Sequence, residues 1–361
     1  MRAVLLRRNL LPVLALAALV MLSPAMAGAD SLTVRYAGEM TRLPVGSDAV
    51  ALGEVTGVVL PRHASSSFWN PASAAFMRHY EVTGEGAELY DNLSRQACAA
   101  VAVPITGGLG ITALYAPLFS GPIAQYDTLK GIYKDRLQNE ALRADGSSLG
   151  EFLNNQHLVI VSVGKLLALT MPRPAQGGFP LPLDIGAGCS FKTGWQTMNP
   201  AGVTRMSMNV NLDAGITARV GLDYDLHRKN VSREVLVAAA IRDFLPSPVV
   251  WIGSRDEYNV GEVYREFIEP SYYCGCSYVD RSGILWARWT LLAAVVKQYK
   301  ITYHYGIESE FWNIIAFRAG LSDRVPTLGA GIRYRKLFLD YSFKFDDLAY
   351  SYVRLTVGVG L

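Results

Sequence analysis

From Tyr299 to the last residue the chain alternates between apolar and polar positions. Tyr299, Ile301, Tyr303, Tyr305 and Ile307 fall on one face, and Lys300, Thr302, His304, Gly306 and Glu308 on the other. The same period of two returns at Leu328, Ala330, Ile332 and Tyr334, at Leu337, Leu339, Tyr341 and Phe343, and at Val353, Leu355, Val357 and Val359. A period of two is that of β-strands with one apolar face and one polar face. The clearest internal strand sets Met206, Met208, Val210 and Leu212 against Ser207, Asn209, Asn211 and Asp213, and it is longer than the ~9–11 residues needed to span a bilayer.

Read along the whole chain, the pattern predicts strands near 78–89, 96–104, 108–116, 157–169, 183–192, 206–220, 233–244, 267–278, 284–295, 299–307, 313–320, 327–334, 337–345 and 350–361. That makes fourteen, an even number, which a barrel needs if both ends of its wall return to the same side. Connections after odd strands then lie outside and those after even strands inside. The longest, 117–156 and 245–266, fall outside, while 105–107, 279–283 and 335–336 are short inner turns; only the Pro-rich 170–182 is long on the inner side. The expected fold is all-β, a transmembrane antiparallel β-barrel of about fourteen strands.

The start of the chain supports export. Arg2, Arg7 and Arg8 precede an apolar run from Leu10 to Met21 and an Ala25-Met26-Ala27 cleavage pattern, so residues 1–27 read as a signal peptide. Past it no apolar run reaches the ~20 residues of a membrane helix, which leaves a barrel as the way to span a bilayer. Composition fits: half the residues are hydrophobic, 18% are charged, and a net charge of +3 with no basic tract gives no sign of nucleic-acid binding. The expected location is the cell outer membrane, with its lipid as the surrounding partner.

Residues 28–76 lack the alternation and are rich in Gly, Ser and Pro. Gly53, Gly57, Trp69, Asn70, Pro71 and Ala72 form its signature, since Asn-Pro starts a turn and small residues permit close packing. The stretch ALGEVTGVVLPRHASSSFWNPASAAF resembles the N-terminal signature of PorV/PorQ-type outer-membrane proteins, within the wider FadL-like superfamily of fourteen-stranded barrels. GIESEFWNIIAFRAGLSDRVPTLGAGIRYRKLFLDYSF is similar to the C-terminal part of the same family. The resemblance implies that residues 28–76 fold as a hatch inside a barrel of residues 77–361. It further implies passage of hydrophobic molecules, often by a lateral opening at a kinked strand, or alternatively a PorV-like role in protein secretion with a secreted protein as cargo. Glu54 stands where the family has a small residue, and Leu361 where it has an aromatic one. The last strand also resembles the signal read by outer-membrane assembly machinery.

Candidate chemistry faces inward. Asp213, Arg219, His304, Arg318, Arg333, Asp340, Lys344 and Arg354 all fall on inner faces, where charge ladders bind wall to hatch or orient a ligand's polar head. His304 is not expected to be catalytic, because no Ser lies opposite it in an obvious register and Ser342 is three strands away. Pro104 and Pro270 cannot donate to a ladder and are the candidate wall kinks. Cys98 points inward, and Cys189, Cys274 and Cys276 outward, without metal spacing. Residues 126–142 suggest an amphipathic helix over the barrel mouth. No cofactor, metal or enzymatic activity is expected.

Overall fold

The computed structural model describes residues 39–54, 59–90, 93–126, 133–139, 148–171, 181–199, 205–225, 230–245, 248–253, 264–281, 287–345 and 352–361. Residues 1–27, read as a signal peptide, lie outside this set, as does Gly57. Its strands run in chain order as β1 (Glu81–Leu89), β2 (Ser94–Ile105), β3 (Leu109–Ser120), β4 (Ile123–Tyr126), β5 (Ser148–Phe152), β6 (Asn154–Met171), β7 (Leu181–Met198), β8 (Arg205–Asp225) and β9 (Asn230–Arg242). They continue as β10 (Pro248–Gly253), β11 (Tyr264–Phe267), β12 (Ser271–Asp280), β13 (Ala287–Lys297), β14 (Ile301–Phe311), β15 (Ile315–Ser322), β16 (Val325–Tyr334), β17 (Leu337–Lys344) and β18 (Tyr352–Gly360).

Fourteen of these strands close into one antiparallel ring. β1 pairs with both β2 and β18, from Glu81 opposite Gly360 to Glu88 opposite Val353, and β8 pairs with β9 to complete the circle. Closure leaves no strand edge along the ring. The other four stand off it: β4 and β5 form their own hairpin, and β10 with β11 extends the outer end of β8. Both pairs fall in the two connections read from sequence as long outer loops. In the first of them the helix Tyr133–Gln138 is described, and residues 127–132 and 140–147 are not.

The wall is apolar outside and polar inside, the reverse of a water-soluble barrel. Along β18, Val353, Leu355 and Val357 are 36, 45 and 49% exposed, whereas Arg354 and Thr356 between them are 2 and 3% exposed. β8 repeats the pattern, with Met206 and Met208 exposed and Asn209, Asn211 and Asp213 buried. Such a continuous apolar exterior is stable in lipid and would be an aggregation surface in water. Exposed aromatic side chains sit at both ends, Tyr80, Trp312 and Tyr334 by the inner turns and Phe119, Tyr272 and Tyr299 by the outer ones, as at the two interfaces of a bilayer. All four cysteines are free, Cys98 buried and Cys189 and Cys274 exposed on the outer face.

Candidate functional site

Residues 40–54 and 59–77 do not join the ring. They form the short helices Ser47–Ala51, Ala64–Phe68 and Pro71–Phe76, almost wholly buried. The segment bonds to Glu85 of β1, Thr217 of β8, Arg242 of β9, Glu308 of β14, Thr327 of β16 and Thr356 of β18. Partners on opposite sides of a closed ring put this segment within the lumen.

Its local structure follows from its residue types. Asn70 accepts the Ala72 N–H at 3.0 Å, and Pro71, with fixed φ and no N–H to satisfy, suits the first helical position. The Asn70 amide also donates to the Thr217 hydroxyl at 2.9 Å, so one side chain both starts the helix and ties it to the wall. Replacing Asn70 by Ala removes both bonds and should cost about 1–2 kcal/mol, read as an earlier thermal transition in detergent. Trp69 donates its indole N–H to the Val45 carbonyl at 2.8 Å, and Ala72 is fully buried. At the other end, Gly53 and Glu54 both take left-handed φ, 85° and 77°. That turn is pinned by His304, which donates from Nδ1 to the Gly53 carbonyl at 2.8 Å and accepts from the Thr302 hydroxyl at 2.9 Å.

The wall makes room for this segment with glycine. Gly110, Gly164, Gly188 and Gly215 face one another in register across β3, β6, β7 and β8. A side chain on Gly188 would come within 2.5 Å of the Pro71 carbonyl oxygen, and one on Gly306, across the ring, within 2.6 Å of the Leu52 oxygen. Backbone lies directly on backbone at these points, which no larger residue permits.

Charged side chains complete the lining in one large network and several smaller groups. Glu308 accepts from both terminal nitrogens of Arg62, at 2.6 and 2.7 Å, and from Arg318 at 2.8 Å. Arg318 also bonds Asp340, while Arg288 and Arg333 share Glu310. Lys192 bridges Asp213 and Asp243, each at 2.9 Å, with no exposed side-chain surface. Arg219 pairs with Asp184, Arg354 with Glu85 and Gln96, and Lys344 with Glu54 at 2.6 Å. All eight inward residues named from the sequence therefore face the lumen, and seven of them sit in ion pairs, but they do not converge on one site. Arg62, Lys192, Arg242 and Glu308, which the sequence reading did not name as site residues, carry as much of the network. Glu308 and Lys192 were visible as inward positions of their alternating strands; nothing local marked Arg62 or Arg242.

One expectation about His304 is corrected. Ser322 does lie opposite it, in direct register between β14 and β15. The two are not a nucleophile and base, because Ser322 donates to Glu54 at 2.6 Å and both ring nitrogens of His304 are already bonded.

A cavity of about 450 Å³ opens between the inner segment and the outer end of the wall. Arg42 and Glu54 line it from the segment, and Leu118, Gln156, Lys344 and Arg354 from the wall. Beside it the β2–β3 ladder is interrupted: pairing runs to Gln96 opposite Leu118 and resumes at Ala99 opposite Tyr115, skipping Ala97 and Cys98 against Pro117 and Ala116. Pro117 has no N–H to donate there. On the lipid side the wall next to this break is bare, since Gly84 pairs with Ala99 and Gly86 with Ala97, and a side chain on either glycine would meet nothing within 4 Å. Tyr115, His157 and Trp195 stack along its other flank, the last two with ring centres 4.9 Å apart.

The two prolines singled out from sequence do not mark this break. At Pro104 the ladder to β3 is continuous, and it lies beyond Ala102, the last residue of β2 that pairs with β1, so its missing donor has no partner to lose. Pro270 lies just before β12, outside the strands.

No family model matches the chain, and no curated protein matches it. Among solved structures it is similar to the Ralstonia pickettii toluene transporter TbuX, at 9% identity over 88% of this chain and 97% of that one, with a TM-score of 0.47. It is also similar to the Pseudomonas putida toluene transporter TodX, at 9% identity over 88% and 98%, TM-score 0.45, and to a Pseudomonas aeruginosa FadL homologue, at 10% over 87% and 98%, TM-score 0.42. The barrel assignment rests on the closed ring of ladders and not on these likenesses.

Proposed function

We propose that this chain is an outer-membrane barrel that passes hydrophobic or amphiphilic small molecules, taking them into the mouth cavity and releasing them sideways through the wall between β2 and β3. The observation that supports it most is the juxtaposition of three features: an open cavity, a lumen filled below it by residues 40–54 and 59–77, and a break in the wall ladder at Pro117 next to Leu118 of the cavity lining. A filled lumen leaves a molecule in the cavity no straight axial path, and the break with its bare outer surface offers a lateral one. In this reading residues 28–76 act as the hatch, and the charged rim formed by Arg42, Lys344 and Arg354 orients a polar head. The secretion role implied by the PorV/PorQ resemblance gains nothing comparable from the described residues.

Pro117→Val tests the route. It restores a backbone N–H and favours a paired strand, so the ladder should close. Uptake of a hydrophobic probe into proteoliposomes should fall toward that of protein-free vesicles, while the barrel folds as well as before or better. Undiminished uptake in a folded variant would remove the lateral route.

A further inference from the structure

The cavity is far more polar than passage of hydrocarbons requires. Ten of the sixteen residues around it carry a polar side-chain group, so an apolar guest would strip water from many groups and return nothing to them. Most of these groups are already engaged: Lys344 with Glu54, Arg354 with Glu85 and Gln96, and Ser120 with the Asn154 N–H at 2.7 Å. Three keep capacity for a guest. Arg42 donates to the Tyr299 hydroxyl, but among the described residues no carboxylate lies within bonding distance, and its Nε is buried without an acceptor there. Ser94 and Gln156 both line the cavity, and no side-chain hydrogen bond is formed by either among the described residues. Gln156 is 8% exposed, so its amide can be served only from within the cavity or by water. Leu43, Pro44, Val50, Leu89, Leu118 and Ile123 supply the apolar remainder.

We propose that the guest of this cavity is an acidic amphiphile that carries a hydroxyl or other neutral hydrogen-bonding group on its apolar body, in short a hydroxylated organic acid, and neither a plain hydrocarbon nor an unsubstituted fatty acid. Its acid group meets Arg42, since Lys344 and Arg354 are offset by Glu54 and Glu85, and its hydroxyl meets Gln156 and Ser94. A guanidinium without a carboxylate partner selects charge, and buried neutral donors and acceptors select a hydroxyl, because the analogue without it leaves them unpaired. At about 450 Å³ the cavity lies within the ~300–1,000 Å³ range of small-molecule sites. The assignment rests on the proposed passage role, whose cavity it shares.

The test is calorimetric titration of the full chain in lipid nanodiscs with 3-hydroxydodecanoate and 12-hydroxyoctadecanoate, each against its unhydroxylated parent acid and its methyl ester. At least one hydroxy acid should bind about ten-fold more tightly than its parent, and every acid more tightly than its ester. Gln156→Leu and Ser94→Ala should erase the gap between hydroxy acid and parent without weakening the parent. Arg42→Ala should weaken all the acids and leave the esters unchanged. If the parents bind as well as or better than both hydroxy acids, or the esters as well as the acids, the assignment fails while the passage role stands. If neither the acids nor the esters bind, and dodecane and toluene are not taken up by proteoliposomes, both fail. The comparison of wild-type ligands decides the matter even if a variant does not fold.

Discussion

Glu308→Gln should destabilise the barrel by about 3–5 kcal/mol, the cost typical of removing one partner from a buried ion pair. Glu308 has no exposed side-chain surface and serves Arg62 and Arg318 directly, with Arg288 at 3.6 Å. The three cations are not equally hurt by its loss. Arg318 keeps Asp340, and Arg288 keeps Glu310, but Glu308 is the carboxylate that Arg62 bonds. Most of the penalty therefore comes from a stranded Arg62 at the joint between inner segment and wall. It follows that Arg62→Met combined with Glu308→Gln should be more stable than Glu308→Gln alone, since the uncompensated guanidinium is gone. The measurement is the temperature at which the folded form is lost in detergent, followed by gel mobility or circular dichroism. A double variant that is no better than the single would mean that Arg62 is not the group left exposed to the penalty.

Gly188→Val should dislodge the inner segment. A side chain at this position meets the Pro71 carbonyl at 2.5–2.6 Å and the Ala72 nitrogen at 2.8 Å, and these are backbone atoms that cannot swing aside as a side-chain tip would. Overpacking of this kind costs about 1–3 kcal/mol where the surroundings can adjust. Here the part free to adjust is the helix Pro71–Phe76, since β7 is held by ladders on both sides. The expected result is a barrel that still assembles but leaks, with raised single-channel conductance in planar bilayers and greater sensitivity of cells to large antibiotics. Gly84→Val on the outer face of β1 is the matched control, because nothing lies within 4 Å of the added carbon. It should leave conductance unchanged.

What could be read from the sequence divides along a physical line. Which side of the wall a residue faces is set by a period of two, so Asp213, Arg318 and Arg354 read as lumen-facing from the alternation alone, and the structure buries each of them. Which residues meet across the lumen depends on the register of every strand and on the course of the inner segment, and no local signal carries that. Arg62 and Glu308 are far apart in sequence, and nothing near either one names the other. The four glycines from Gly110 to Gly215 show the same limit, since each reads as an ordinary weak strand position until register lines them up.

Pro117 shows a different failure. Proline is the usual end of a strand, so the sequence reading stopped the third strand at residue 116 and made Pro117 the first residue of a loop. The strand continues to Ser120, paired with β6 without a break from Leu109 to Phe119, and only its β2 side is interrupted. A rule that treats a breaker as an end hides the case in which it breaks one ladder and leaves the other whole. β10 and β11 escaped for another reason: they extend the sheet beyond the ring, where no lipid-facing side imposes the alternation that revealed the rest.

The central claim is that a molecule leaves the mouth cavity through the wall between β2 and β3. Its most direct test is uptake of a fluorescent hydrophobic probe by proteoliposomes holding the Ala116→Cys variant, which keeps Pro117, assayed in the same sample before and after reduction. Ala116 and the native Cys98 are opposite positions in the interrupted register and both are buried, so a disulfide between them staples the break shut. The account predicts uptake near background when oxidised and near the wild-type rate once reduced. Equal uptake in both states, with the disulfide confirmed by mass spectrometry, would contradict it.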